Sequence, residues 1–339
     1  MTDETPSTPD DAAELPPPVP PAPRRRRALA RLLLVAGAAL LALGVAEGAL
    51  RVLGVGGVMT FAPDERWGYL MRPGQVVYAY GHPVATDARG LRAPAGREPG
   101  PPTALRILFV GDSVTYGGGR IREAELFCRR VERALAEEGV PVRVTNASAP
   151  GWGPQNWRGY LAAEGLLGAD VVVLVLPECD LARPFATMAM HGFRQRAPRT
   201  RVGAVLGKLA ALARPRDPYA AHDPDEAHRA NCAAARWLKG RAAGEAAVLA
   251  VFLPGRPAGG EALAAAPSPR WGCFETVFPG ALDLRGDLGD PGLFLDPIHL
   301  SPAGHALVAE RVLERLRTLP ELRGARAAGP PRRLTAFAP

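Results

Sequence analysis

The sequence predicts an α/β protein: a parallel sheet of about five strands covered by helices, preceded by one transmembrane helix. Three observations carry this. Short apolar runs alternate with helical patterns from residue 105 onward, the signature of a parallel sheet with crossover helices. Several of those runs are continuously apolar instead of alternating, as expected of strands buried on both faces. An uncharged stretch near the N-terminus is long enough to span a bilayer.

In chain order, residues 1–27 form a Pro-rich tail ending in a basic cluster, Arg24 to Arg27. Such a segment has too little apolar surface to pack and is expected to be disordered. The anchor is placed at 28–53. No charge occurs from Leu32 to Ala46, and including Ala28 to Arg31 the stretch approaches the roughly 30 Å hydrocarbon core at 1.5 Å per residue. Arg31 can snorkel to the interface. The arginines before it favour a cytoplasmic N-terminus with the rest of the chain periplasmic or extracellular. A cleavable signal peptide stays open, because Gly44-Val45-Ala46 offers small residues. The long tail ahead of the arginines argues against it.

Residues 54–104, rich in Gly and Pro with β-like pieces such as "QVVYAY", read as a juxtamembrane segment packed on the main domain. That domain, 105–319, contains the runs "LRILFV" (105–110), "VRVTNA" (142–147), "DVVVLVL" (170–176), "AAVLAVFL" (246–253) and a weaker "GALDL" (280–284). Between them, "REAELFCRRVERALAEEG" repeats apolar residues on one helical face and stops at Gly139. A second helix is expected around Trp157 to Leu167. A third, "SPAGHALVAERVLERL", opens with Ser301 as N-cap and Pro302 in the first turn. Residues 182–245 are expected to shape the substrate pocket, and 320–339 to form a flexible tail.

Composition narrows the function. The formal charge is +7 with pI near 9.7, yet Lys208 and Lys239 are the only lysines and the arginines are scattered beyond the first cluster. With no recognition motif or basic stripe, no nucleic-acid partner is expected. Cys128, Cys179, Cys232 and Cys273 have no zinc spacing and leave three full disulfide pairings open. Cys128 lies in a helical stripe and reads as a small buried hydrophobe.

The chemistry centres on "RILFVGDSVTYGGG". In an open parallel sheet, ligands bind beyond the carboxyl ends of the strands, so Ser113 falls on the working edge. Near the C-terminus, "DPIHLSPAGH" sets Asp296 three residues before His299. That spacing lets a carboxylate orient an imidazole through Nδ1, leaving Nε2 to take a serine proton. Either feature alone is a common cap or turn; together they describe a serine nucleophile and its base.

Other motifs fail. "GDSVT" lacks the second glycine of the α/β-hydrolase elbow. "GAVLGK" (203–208) is too short for a phosphate loop and lacks the following Ser or Thr. "HDPDEAH" (222–228) reads as a helix start with Asp223 as N-cap and Pro224 in the first turn, not as a metal site. Asn146 fits a glycosylation sequon but reads as the end of the second strand.

From "VGDSVTYG", "NASAPGWG", "LPECDL" and "DPIHLSPAGH", the chain resembles the SGNH hydrolases, also called GDSL esterases and lipases. Within them it is most similar to bacterial members with an N-terminal membrane anchor, which "DARGLR" (87–92) also suggests. The resemblance covers roughly residues 60 to 318. It implies a flavodoxin-like three-layer α/β/α sandwich, with Ser113 as nucleophile, His299 as base and Asp296 as its orienter. It further implies an oxyanion hole from the N–H groups of Ser113 and Gly151 and a third-block side chain. Where the family carries asparagine, this chain has Cys179, flanked by Glu178 and Asp180. A thiol is a weak donor, and loss of one oxyanion donor costs about 10²–10³ in turnover, so a slower or differently organised hydrolase is expected. No metal or organic cofactor is implied. The expected substrate is an acyl ester, acetyl included, of an envelope glycan or lipid. An O-acyltransferase acting on envelope polysaccharide and a catalytically impaired glycan-binding module are the alternatives.

Overall fold

The computed structural model of the protein describes residues 24–96, 104–213, 217–256 and 268–328. Most of the expected Pro-rich tail therefore lies outside the described residues. The chain divides into two units, residues 1–48 and 49–339. The first is described from Arg24 and consists of most of helix α1 (Arg24–Val52). Its leucines and valines are exposed, and the helix is long and apolar enough to cross a membrane.

The second unit opens with two antiparallel hairpins, β1 (Phe61–Asp64) with β2 (Gly68–Met71), and β3 (Val76–Ala79) with β4 (His82–Ala85). Tyr80 and Gly81 form the two-residue turn of the second hairpin, at φ 50° and 81°, the doubly left-handed turn that matches strand twist. There follow β5 (Leu105–Gly111), α2 (Ser113–Tyr116), α3 (Phe127–Glu137), β6 (Val142–Ser148), α4 (Pro154–Glu164), β7 (Val171–Pro177) and α5 (Met188–His191). The chain continues with α6 (Arg201–Leu212), α7 (Pro224–Ala242), β8 (Ala247–Leu253), α8 (Trp271–Val277), β9 (Leu282–Asp283), α9 (Pro302–Leu316) and α10 (Pro320–Ala328).

The five main strands form one parallel sheet in the order β6-β5-β7-β8-β9, so the flavodoxin-like fold that the resemblance implies is the one formed. Alternation along the central strands builds two cores. Leu108, Val110, Val172, Leu174 and Phe252 face one side, with α4, α7, α8 and the hairpin residues Tyr69, Met71 and Val84. Ile107, Phe109, Val173, Val175 and Val251 face the other, with α3 and α9. Burial of both strand faces explains the unbroken apolar runs. The order reverses at β5, which leaves a crevice beyond the ends of β5 and β7.

Two local differences from the sequence reading have physical causes. Helix α3 begins at Phe127, because Glu123 is held in a separate turn by Arg92 Nε and Arg129 Nε, each at 2.8 Å. The expected C-terminal tail starts instead as α10, with Pro320 and Glu321 suited to a helix N-terminus and Leu322 buried in the α3–α9 core. Residues 329–339 of that tail are outside the described residues. In agreement with the rejection of a phosphate loop, "GAVLGK" lies within helix α6.

Candidate active site

Ser113 directly follows β5 and starts α2, whose N-terminus is capped by Asp112: Val114 N–H donates to Asp112 Oδ1 at 2.8 Å. A side chain at Gly111 would strike Thr115 Oγ1 at 2.0 Å, so only glycine admits so sharp a passage from strand to helix. Ser113 Oγ lies 2.9 Å from His299 Nε2. His299 Nδ1 lies 2.9 Å from both Asp296 Oδ1 and Oδ2. Asp296 Oδ1 also accepts the backbone N–H groups of Ile298 and His299, at 3.1 and 3.0 Å. The loop is thus folded around the carboxylate, which fixes the imidazole ring. Burial pushes the Asp296 carboxyl up, but the backbone N–H of His299, that of Ile298 and the imidazole outweigh it and hold the pKa below its ordinary value.

A cavity of ≈ 170 Å³ opens over this pair, walled by Tyr80, the Gly117–Gly119 loop, Arg120 and Leu295. Arg120 Nη1 lies 3.4 Å from Asp296 Oδ2. The loop is held from behind by buried Arg92, which donates to the carbonyls of Tyr116, Gly118 and Ile121. The "DARGLR" segment therefore has a physical role: its last residue braces the wall of the cavity.

Gly151 sits in the loop after β6, the strand adjoining β5. Its φ is +82°, and a Cβ would come within 2.4 Å of His191 Nε2 and 2.8 Å of the Tyr69 hydroxyl, so no other residue fits. Among the described residues no hydrogen-bond acceptor takes the Gly151 N–H. Asn146 is buried within β6, two residues before its end, donating to the Thr115 carbonyl at 2.9 Å.

Cys179 follows β7, and its neighbourhood contains a residue that the sequence did not single out. Buried Arg183 donates from Nη2 to Cys179 Sγ at 3.2 Å and from Nη1 to the Trp152 carbonyl at 2.9 Å. It pairs with Asp112 Oδ2 at 3.3 Å and Asp180 Oδ1 at 3.1 Å. One guanidinium thus ties together the loops after β5, β6 and β7. The donor atoms of Asp112, Cys179 and Asp180 lie within 4.8 Å of one another, a set of types that could bind a metal, but the arginine already engages all three. Asp180 is pushed well above the ordinary carboxylate range by burial, which Arg183 only partly offsets. Asp180 and Glu178 are not oxyanion donors while ionised.

The "HDPDEAH" residues do not converge. Asp223 caps α7, Asp225 pairs with Arg270 at 2.8 Å, and His228 Nδ1 donates to the Leu181 carbonyl at 2.9 Å. Of the four cysteines, Cys232 and Cys273 are joined in a disulfide, while Cys128 and Cys179 are free.

A parallel sheet with a serine and a histidine joined beyond its carboxyl edge is the frame of an acyl hydrolase. Residues 109–307 match the model of the GDSL-like Lipase/Acylhydrolase family. The match takes in more than half of the chain, which belongs to this family and is a carboxylic ester hydrolase. No curated protein matches the chain. Among solved structures, TesA is similar at 20% identity over 62% of this chain and 98% of its own, with a TM-score of 0.38. Axe2, an acetylxylan esterase from Geobacillus stearothermophilus, is similar at 16% identity over 62% and 94%, with a TM-score of 0.39. LAE5, an alpha/beta hydrolase enzyme from the metagenome of Lake Arreo, Spain, is similar at 16% identity over 62% and 94%, with a TM-score of 0.40.

Proposed function

We propose that the protein is a membrane-tethered, extracytoplasmic serine esterase that removes acyl groups from an envelope glycan or lipid through an acyl-enzyme on Ser113. The observation that carries this is the 2.9 Å contact of Ser113 Oγ with His299 Nε2, in series with the 2.9 Å contacts of His299 Nδ1 with Asp296. With its Nδ1–H donating to the Asp296 carboxylate, the imidazole presents an unprotonated Nε2 to the serine hydroxyl. Ser113 Oγ attacks the ester carbonyl carbon while its proton passes to Nε2, and Asp296 stabilises the imidazolium. The N–H groups of Ser113 and Gly151 receive the developing oxyanion. Collapse breaks the bond to the alcohol, which leaves with the proton from His299. Water, deprotonated by the same nitrogen, then attacks the acyl-enzyme and frees the acid and Ser113.

The tether reading is supported by the apolar helix α1 with arginines at its N-terminal end. The Cys232–Cys273 disulfide suits an oxidising compartment. The test compares wild type with Ser113→Ala, as full chains in detergent, on p-nitrophenyl acetate and butyrate. Turnover is expected to fall by about 10³-fold or more in the variant. A folded variant with unchanged turnover overturns the assignment of the nucleophile.

A further inference from the structure

On α6, Leu206, Leu209 and Leu212 recur at every third position and each is more than half exposed. Among the residues of this helix Ala204 alone is buried. The β3–β4 hairpin presents Val76, Tyr78 and Tyr80, again each more than half exposed. Contiguous apolar exposure on this scale marks a contact surface.

The two elements are one surface. Lys208 of α6 donates from Nζ to the Tyr80 hydroxyl at 2.6 Å, its ammonium 4.9 Å from the ring centroid. The stretch Gly54–Gly57 runs against both: a Cβ at Gly54 would meet Tyr78 at 3.3 Å, and one at Gly56 would meet Val205 of α6 at 3.3 Å. In the chain, that stretch follows almost directly on Val52, the last residue of α1. The patch is therefore covalently confined to the place where the chain leaves its apolar span. Arg201 and Lys208 belong to α6, exposed Arg196 and Arg199 lie just ahead of it in the chain, and no acidic residue occurs from His191 to Ala213. Leucines for the acyl boundary, tyrosines for the headgroup level and basic residues for lipid phosphates are the composition of a helix lying in a membrane interface. Tyr80 also forms part of the cavity wall over Ser113 and His299, so the mouth of the site borders the same surface.

We propose that α6 and the β3–β4 hairpin seat the domain on anionic phospholipid, holding the Ser113 mouth at the bilayer surface, and that the ester cleaved is carried by a membrane lipid. This rests on the tethered-esterase reading above and supplies the substrate class that it leaves open.

The test uses the full chain reconstituted in vesicles of equal parts phosphatidylglycerol and phosphatidylcholine with brominated acyl chains. Tryptophan fluorescence of Leu209→Trp is expected to be quenched beyond wild type, while Ala136→Trp, on α3 in the opposite helical layer, gains no quenched emission. Equal behaviour of the two positions overturns the proposal. So does cross-linking of position 209 to a second copy in place of quenching, which would make the face an interface between copies. In parallel, the triple variant Leu206→Ser, Leu209→Ser, Leu212→Ser is expected to keep wild-type turnover of p-nitrophenyl acetate. It should lose about tenfold on a long-chain fluorogenic ester dissolved in the vesicles. An equal loss on both substrates, or none on either, also overturns it. Failure of the esterase reading looks different: hydrolysis of the soluble ester would not depend on Ser113. Failure of the tether would appear as release of the wild-type chain from the vesicles by alkaline carbonate.

Discussion

Arg183 donates from Nη2 to the sulfur of Cys179 at 3.2 Å, so at the position where the resemblance to the SGNH hydrolases leads one to expect an asparagine, a thiol faces a guanidinium. Burial and the neighbouring Asp180 carboxylate push that thiol's pKa well up, which keeps it protonated and a weak donor. An amide at this position would add an oxyanion contact made mainly in the transition state. Cys179→Asn is therefore expected to raise kcat on p-nitrophenyl acetate by about 10- to 100-fold, with a smaller change in KM. An unchanged kcat would mean that the backbone donors complete the oxyanion hole without a side chain.

The same arginine has a structural role that stability measurements can isolate. It is the cation between two fully buried carboxylates, Asp112 and Asp180. Removing one partner of a buried pair leaves charge uncompensated, so Arg183→Met is expected to lose about 3–5 kcal/mol in urea unfolding. Asp180 is already pushed upward by burial, and without Arg183 it should protonate more readily still. The loss should accordingly be smaller in mildly acidic buffer than near neutrality. Arg183→Lys, which keeps the charge but not the planar fork, should recover only part of it.

Arg183 also shows where sequence reading stops. Strands β5, β7 and β8 were legible because both of their faces are largely buried, leaving nearly continuous apolar runs. Even β9, two residues long, was marked by "GALDL". Ser113 and the Asp296–His299 pair were legible because each sits in a short local block, and the fold brings these blocks within hydrogen-bond distance. Arg183 has no such block. Its partners come from the loops around residues 112, 152 and 179, which meet only once the sheet has formed. The late start of α3 is nonlocal in the same way, since it depends on Arg92 reaching Glu123 from 31 residues away. Helix α10, in a stretch expected to be a flexible tail, is ambiguous for the opposite reason: Pro320 can end one helix or begin the next, and burial of Leu322 decides between them.

The four cysteines left the disulfide pairing open, and the fold joins Cys232 of α7 to Cys273 of α8. The pair closes a loop with a sequence separation of 41. Closing a loop of this length lowers the entropy of the unfolded chain, an effect of about 2–4 kcal/mol. Dithiothreitol is expected to lower the Tm of the wild type to that of the Cys232→Ser, Cys273→Ser double variant, whose own Tm should not respond. Ester turnover below the melting range should change little, because neither cysteine borders the cavity over Ser113.

His305 closes the block that contains His299, yet its environment is entirely different. It is buried, its Nδ1 accepts the Phe127 N–H at 3.2 Å, and its ring stacks on Phe127 with centroids 5.2 Å apart. Burial, followed by the positive charges of Arg92 and Arg130, lowers its pKa from 6.5 to about 3. The folded protein therefore keeps this imidazole neutral, while the unfolded chain takes up a proton as pH falls through 6.5. Its contribution to stability is complete above that value and is lost progressively as pH falls toward about 3. His191, lowered to about 4 by burial and Arg183, adds a loss of the same sign. His305→Asn keeps an acceptor for the Phe127 N–H and removes the titration. Between neutral pH and about pH 4.5, the wild type is expected to lose about 2 kcal/mol more unfolding free energy than this variant. Parallel losses in urea unfolding at the two pH values would place the acid sensitivity elsewhere, in His191 and in Glu123, whose carboxyl, despite burial, is held below its ordinary range by Arg129 and Arg92.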